Sequence, residues 1–305
     1  MKTPLVIWIV TDGKPGHENQ SLGLADALGR RAAVALHRIE LPGKSRLFGR
    51  LRQAFQLARA LPPPDLILGA GHATHLALIG LARHTGAPCV VMMKPSLPCG
   101  LFDLCLVPAH DLQGGPPSDN IVPTVGALNR VIPGASYDKT GHLILLGGPS
   151  SSHGWDADGM LAALKGVLFT SSSQSWELTD SRRTPAGMRE SIQERLPGLV
   201  LFPHEETGPG WVPGRLAAAS EVWVTEDSVS MIYEALSSGA AVGLLPVPRR
   251  KSKARSRVAR GIDRLVDEGL VTRYGSGTPT APVRPLREAD RCADLILGRW
   301  FPQSK

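Results

Sequence analysis

The chain has few aromatics, few cysteines and no long apolar run. Phe, Trp and Tyr make up 5% of its 305 residues. The most basic run, PRRKSKARSRVAR at 248–260, has none interleaved, so single-strand stacking is not expected there, nor a nucleic-acid partner. The four cysteines, Cys89, Cys99, Cys105 and Cys292, form no C-x-x-C pair. Reduced thiols are therefore expected, with neither disulfides nor structural zinc. The first apolar run, residues 5–10, is too short to cross a bilayer and meets Asp12 without a cleavage-site pattern. It is expected as a strand and not a signal peptide, which makes the cytoplasm the expected compartment. No internal repeat or low-complexity tract is present.

What is present is apolar sequence in short blocks. At 42% apolar and 305 residues the chain can bury a full core, and its length suits two domains. The net charge of +7 favours anionic partners. Apolar runs alternate with helical segments, the pattern of an α/β protein with parallel sheets. Strands are expected at 5–10, 35–39, 66–68, 89–93 and 104–107, and again at 142–146, 175–179, 199–201, 222–224 and 241–245. Pro133, Gly134 and Gly141 interrupt the rhythm between these sets. That places a domain boundary near 138, giving domains 1–138 and 139–305, with the last helical segment, 285–300, free to pack across either.

The stretch VWVTEDSVSMIYEALSSGAAVGLLPVP at 222–248 reads as strand, polar turn, helix and second strand. Thr225 to Ser228 form the turn, with Asp227 or Ser228 as helix cap. Ser228 stands at the helix N-terminus, where N–H groups and the helix dipole favour phosphate. Glu234 offers a carboxylate to ribose hydroxyls from the same helix. The expected strand at 142–146 runs into Gly147, Gly148, Pro149, Ser150, Ser151 and Ser152, a backbone nest suited to a diphosphate. The strand at 175–179 runs into Asp180, Ser181, Arg182, Arg183 and Thr184, where two guanidinium groups suit a diphosphate leaving group. Each also suits an ordinary polar connection, but all three end successive strands of one domain.

The first loop carries Thr11, Asp12, Gly13, Lys14, Pro15, Gly16, His17, Glu18 and Asn19. It leaves its strand at the edge where parallel sheets bind ligands. Gly13 and Gly16 allow close backbone approach, and Asp12 and His17 are candidate proton-transfer groups. Gly71 and His72 line the end of a later strand, and Lys94 in MMKPSLP suits an anionic acceptor. Gly43, Lys44 and Ser45 imitate the end of a phosphate-binding loop, but Arg38 stands where its first glycine belongs. His72 and His75 lack an evident third ligand, so no metal site is expected.

Together DGKPGHENQSLGLADAL, GAGHATHLAL, MKPSLP, LLGGPSS, TDSRRTP and VTEDSVSMIYEAL resemble the elongated-mitochondria (mitochondrial fission) family and its bacterial relatives, over nearly the whole chain. More distantly, the His-bearing first loop and the late Ser…Glu helix are similar to GT-B-class glycosyltransferases. That resemblance implies two Rossmann-like domains with parallel sheets facing across a cleft. It implies a nucleoside-diphosphate sugar, UDP-linked in the first instance, in the C-terminal domain, and an acceptor on the N-terminal side at Gly13, Lys14, Gly16, Asn19, Gly71, His72 and Lys94. Glu234 would take ribose, Ser228 and the 147–152 loop the diphosphate, with Arg182, Arg183, Thr225 and Asp227 around it, and His17 the reactive region. The first loop departs from the transferases at Lys14 and Pro15, where they are richer in glycine.

The expected chemistry is metal-independent glycosyl transfer with no cofactor, Asp12 or His17 being the base. A non-catalytic adaptor on the same scaffold is the alternative, as the fission relatives suggest, and a nucleotide-sugar epimerase is a third. The cations from Arg249 to Arg260 suit a solvated helix first, and otherwise a docking face for an anionic membrane or a lipid-linked acceptor, which would make the protein peripheral at a membrane.

Overall fold

The structure is a computed structural model and describes residues 3–42, 47–112, 118–133, 139–170, 175–208, 210–250 and 257–302. By internal contacts the chain forms two units, Met1–Arg130 with Arg287–Lys305, and Val131–Leu286. Sequence patterning draws the boundary near 138; the contacts draw it after Arg130 and assign the last helix to the first unit.

In the first unit, β1 (Leu5–Thr11), β2 (Val34–Glu40), β3 (Leu66–Ala70), β4 (Cys89–Met92), β5 (Leu104–Pro108) and β6 (Ile121–Thr124) form one sheet in the order β2-β1-β3-β4-β5-β6. Every neighbouring pair is parallel. Both faces of the inner strands are covered, which is why β1, β3, β4 and β5 are apolar runs without polar alternation, whereas the edge strand β2 carries His37, Arg38 and Glu40. Ile7 and Ile9 face one core with Leu24 and Leu28 of α1 (Pro15–Gly29). Trp8 and Val10 face the other, against Ala54 of α2 (Leu47–Ala58) and Leu78 of α3 (His75–Thr85).

The second unit repeats the plan. Its strands are β7 (Gly141–Leu145), β8 (Trp176–Thr179), β9 (Leu199–Phe202), β10 (Ala219–Thr225), β11 (Ala241–Leu245) and β12 (Thr272–Arg273), in the order β12-β11-β10-β7-β8-β9. All are parallel. On one face lie α4 (Ala157–Thr170) and α5 (Met188–Arg195), meeting Ile144, Leu178 and Trp223. On the other lie α6 (Trp211–Ala218), α7 (Val229–Ser238) and α8 (Arg257–Asp267), meeting Leu143, Val222 and Val242. The sequence pattern misses β6 and β12. Both are short edge strands: β6 carries Pro123, which edge strands tolerate, and β12 has two residues.

Strand order reverses once in each sheet. In the first, β1 lies between β2 and β3; in the second, β7 lies between β8 and β10. At such a reversal, successive crossovers run to opposite sides and leave a crevice outside the carboxyl ends of the two central strands. The loops after β1 and β3, and after β7 and β10, are therefore where each unit has room for a ligand.

The last helix, α9 (Glu288–Trp300), packs Cys292, Ala293 and Ile296 into the core shared with α1. A charged clamp flanks the contact. Asp290 receives Arg30 at 2.9 Å, Arg31 at 2.6 Å and Arg287 at 2.9 Å, and Arg31 also pairs with Asp294. Burial works to raise the Asp290 carboxyl, but the bonds from Arg31, Arg30 and Arg287 outweigh it and hold it at about 2, below the ordinary 3.8. The folded value lies below the unfolded one. Its stabilisation is thus complete above the ordinary carboxylate value and disappears as pH falls through about 2. Asp290→Asn is expected to lower unfolding free energy by about 2 kcal/mol at neutral pH, and to flatten acid destabilisation in that window, as read by denaturant titration at several pH values.

Candidate functional site

At the reversal in the second unit, the loops after β7, β8 and β10 interlock. The Gly147 N–H donates to Thr225 Oγ1 at 2.7 Å and the Gly148 N–H to Asp227 Oδ2 at 3.1 Å. Arg183 Nη1 lies 2.6 Å from Asp227 Oδ2 and donates to the Gly148 carbonyl at 2.8 Å. Thr184 Oγ1 donates to the Gly147 carbonyl at 2.6 Å. The two glycines are obligatory: a Cβ on Gly147 would strike the Asp227 carboxylate, and one on Gly148 would strike the Arg183 carbonyl. Thus Gly147, Gly148, Arg183, Thr225 and Asp227, singled out separately in sequence, form one cluster. Its donors are engaged by the protein's own acceptors. The Asp227 side chain is 0% exposed, and its Oδ1 has no hydrogen-bond partner among the described residues.

Beyond this knot, Ser150 Oγ accepts the N–H groups of Ser152 and His153 at 3.3 and 3.1 Å, and Ser151 and Arg182 are exposed. Ser228 immediately precedes α7, as expected, but makes no side-chain cap bond. Asp227, the other expected cap, is turned to Gly148 and Arg183 instead. The first intrahelical donor of α7 is Ile232, bonded to the Ser228 carbonyl, and the turn before it presents N–H groups in the orientation that receives anions. Glu234 is half-buried on the same helix, roughly 9 Å along the axis from Ser228 at 1.5 Å per residue.

Sequence patterning misses four residues here: Glu226, Asp263, Arg273 and His153. Glu226 is buried and paired with Arg249 at 3.3 Å and Arg273 at 2.9 Å; Asp263 receives the same two arginines. Arg249, expected to face a membrane, is instead an internal partner, because two carboxylates distant in sequence converge on it. Arg250 Nε donates to the His153 carbonyl. Residues 251–256 of the basic run, like Gly43, Lys44 and Ser45, lie outside the described residues. His153 itself is buried, with Nδ1 3.1 Å from Ser152 Oγ and Nε2 unpartnered; burial first, and then nearby arginines against nearby carboxylates, leaves its pKa below the ordinary value.

Among the described residues one group has metal-ligand character: Asp180, His204 and Glu205, whose ligand atoms lie within 4.8 Å of one another. Arg189 sits among them, 2.6 Å from Asp180, 2.9 Å from His204 Nδ1 and 2.6 Å from Glu205. The guanidinium supplies there the positive charge that a cation would bring.

At the reversal in the first unit, His17 lies in the opening turn of α1, which Pro15 starts. Its Nδ1 is 3.0 and 3.1 Å from the two Asp12 oxygens, and Lys14 Nζ is 3.6 Å from Asp12. Burial works to raise the Asp12 carboxyl; the bond and charge of His17, the Lys14 N–H and the Lys14 charge prevail and lower it. An ionised Asp12 accepting from Nδ1–H leaves Nε2 as the basic nitrogen. The His17 ring lies against Gly71, whose φ of 85° and ψ of 150° suit glycine alone. The two loops picked from sequence therefore meet, ring on backbone. Gly13 has φ 73°, and Gly16, Lys14 and His72 are exposed, while Asn19 is half-buried. Lys94 Nζ donates to the Asp111 carbonyl at 3.2 Å, just after Met93, a non-glycine residue at φ 70°. His75, discounted as a ligand, bonds Ser96 Oγ through Nδ1 at 3.2 Å; burial, then the charges of His72 and His17, push its pKa down.

Gly71→Ala is expected to cost about 1–3 kcal/mol through its backbone conformation alone. It should also displace the His17 ring, seen as a lowered melting temperature with a changed His17 imidazole resonance.

Two Rossmann-like α/β units, each with its loops gathered at a strand-order reversal, define the fold of the GT-B glycosyltransferase and epimerase class. The chain is similar to UDP-GlcNAc 2-epimerase from Methanocaldococcus jannaschii (TM-score 0.54, 11% identity, 97% of this chain and 100% of that one). It is similar to the Neisseria meningitidis UDP-GlcNAc 2-epimerase solved with UDP-GlcNAc (0.52, 11%, 97% and 99%), and to MurG of Acinetobacter baumannii (0.50, 14%, 96% and 90%). At these identities the likeness is one of fold. The chain belongs to the mitochondrial fission ELM1 family, whose model matches residues 15–300. A Rickettsia prowazekii relative, the uncharacterized protein RP120, is 24% identical over 95% of this chain and 97% of its own. No described helix is long and apolar enough to cross a membrane.

Proposed function

We propose that the protein binds a nucleoside-diphosphate sugar at the strand ends of its second unit and transfers the sugar to an acceptor hydroxyl held at the strand ends of its first. The observation that carries this is the Asp12–His17 pair seated on Gly71: a histidine with one nitrogen held by a carboxylate and the other presented as a base is a general-base arrangement. In this reading His17 Nε2 removes the acceptor proton as the hydroxyl oxygen attacks the anomeric carbon. The bond to the diphosphate breaks, and its charge is met by the first turn of α7, Ser228 and Arg182. Glu234 accepts ribose hydroxyls. Charge on the leaving group is met by these groups without routing a step through a metal.

A second reading has an observation in its favour. The Gly147 and Gly148 N–H groups and Arg183 are already engaged within the protein, as suits an adaptor that keeps the scaffold for recruitment. An epimerase would use the same nucleotide seat and differ in product. Docking on an anionic membrane would fall to the remainder of the basic run, since Arg249 is engaged internally.

A thermal-shift panel of UDP, UDP-GlcNAc, UDP-glucose and GDP separates nucleotide-sugar binding from the adaptor reading, and analysis of the product separates transfer from epimerisation. Ligand at 100 times Kd adds about 2.7 kcal/mol, which moves the melting temperature of a chain this size by several degrees. Selective stabilisation by one nucleotide sugar supports the proposal, and none across the panel supports the adaptor. His17→Asn is expected to remove turnover while retaining binding, and Glu234→Gln to weaken binding about tenfold, the scale of one charge-assisted hydrogen bond. Unchanged behaviour in both variants would sink the mechanism.

A further inference from the structure

The Asp227 carboxylate occupies a position with the chemistry of a phosphate seat. It takes a main-chain N–H from the glycine pair after β7 and a guanidinium nitrogen from the loop after β8, and it stands one residue before Ser228 and the N-terminus of α7. A glycine amide, an arginine and a helix N-terminus form a donor set that recognises phosphate oxygens. A carboxylate fills this set imperfectly. Oδ2 takes both donors, and Oδ1 is buried without a partner among the described residues, at a desolvation cost that a group placed only for structure would avoid by satisfying both oxygens. Arg183 spans from this buried oxygen outward, its side chain 40% exposed where that of Asp227 is 0%. An anion arriving from solvent meets the guanidinium first and the carboxylate behind it.

We infer that Asp227 is an internal surrogate for phosphate: a diphosphate-bearing ligand binds by taking Arg183 and the Gly148 N–H from it. Asp227 thereby sets the affinity of the site through competition and charge repulsion. This rests on the nucleotide-binding reading for the identity of the ligand, but its own claim is narrower, that the seat is an anion seat held by a carboxylate. It also reconciles the two observations that pull the functional readings apart, since donors engaged in the free protein become available on exchange.

Calorimetric titration of the full chain with inorganic diphosphate and with UDP, at fixed ionic strength, tests it in wild type and Asp227→Asn. The substitution keeps the shape and removes the charge. Relief of repulsion at contact range is expected to tighten diphosphate binding about tenfold or more. Equal or weaker binding of diphosphate by Asp227→Asn, or none by either protein, overturns the inference and makes Asp227 a clamp that orders the loops. Tighter diphosphate binding without any binding of UDP upholds the inference and removes the nucleotide reading. Should Asp227→Asn fail to fold, the wild-type protein suffices. Diphosphate must shift the Gly148 amide and Arg183 Nε resonances, and their constancy through the titration refutes exchange.

Discussion

The parallel pairing of β10 with β7, Val222 beside Leu143 and Val224 beside Leu145, is the contact on which the second unit depends. It joins the halves of the sheet where strand order reverses, and so brings a loop near residue 147 against a turn near residue 226. The first unit uses the pairing of β1 with β3, Ile9 beside Leu68 and Val10 beside Gly69, to bring His17 onto Gly71. Helices that return to opposite faces cannot cover the edge between such strands. Chemistry-bearing side chains gather there because the backbone leaves that edge open.

Charge is arranged differently at the two edges. At the first, a half-buried carboxylate and imidazole face each other through Nδ1, a local arrangement within five residues of chain. At the second, Asp227 with Arg183, and Glu226 and Asp263 with Arg249 and Arg273, come from five segments and neutralise one another in two groups. Removing Arg183 would leave the buried Asp227 carboxylate without its cation, at a cost larger than the pair's net contribution to stability. The second edge is therefore stiff, and any anion bound beside it meets donors already in use. The proposed transfer and the proposed exchange at Asp227 are two consequences of one arrangement.

Much of this was legible in residue order. The inner strands are apolar runs bounded by Gly, Pro or polar turns, and both faces of each sheet are buried there, so periodicity and composition agree. The Asp12 and His17 pairing is local enough to read from a five-residue spacing. The exceptions have physical causes. β6 and β12 are edge strands with little apolar burial to mark them, and the place of α9 in the first unit is decided by its packing on α1, which residue order leaves open. The use of Arg249, predicted as a surface cation, is likewise decided by carboxylates brought in by β10 and α8.

By itself the sequence determined the α/β class, the succession of strand, loop and helix, and the polar residues standing at each strand end, because burial on both faces and turn chemistry act over a few residues. Tertiary structure alone decided which strand ends adjoin, that His17 needs a glycine at position 71, and that Asp227 faces Gly148 and Arg183 instead of capping α7. Those are contacts between segments separated by about forty to eighty residues, and strand order, which no local pattern encodes, brings them within reach.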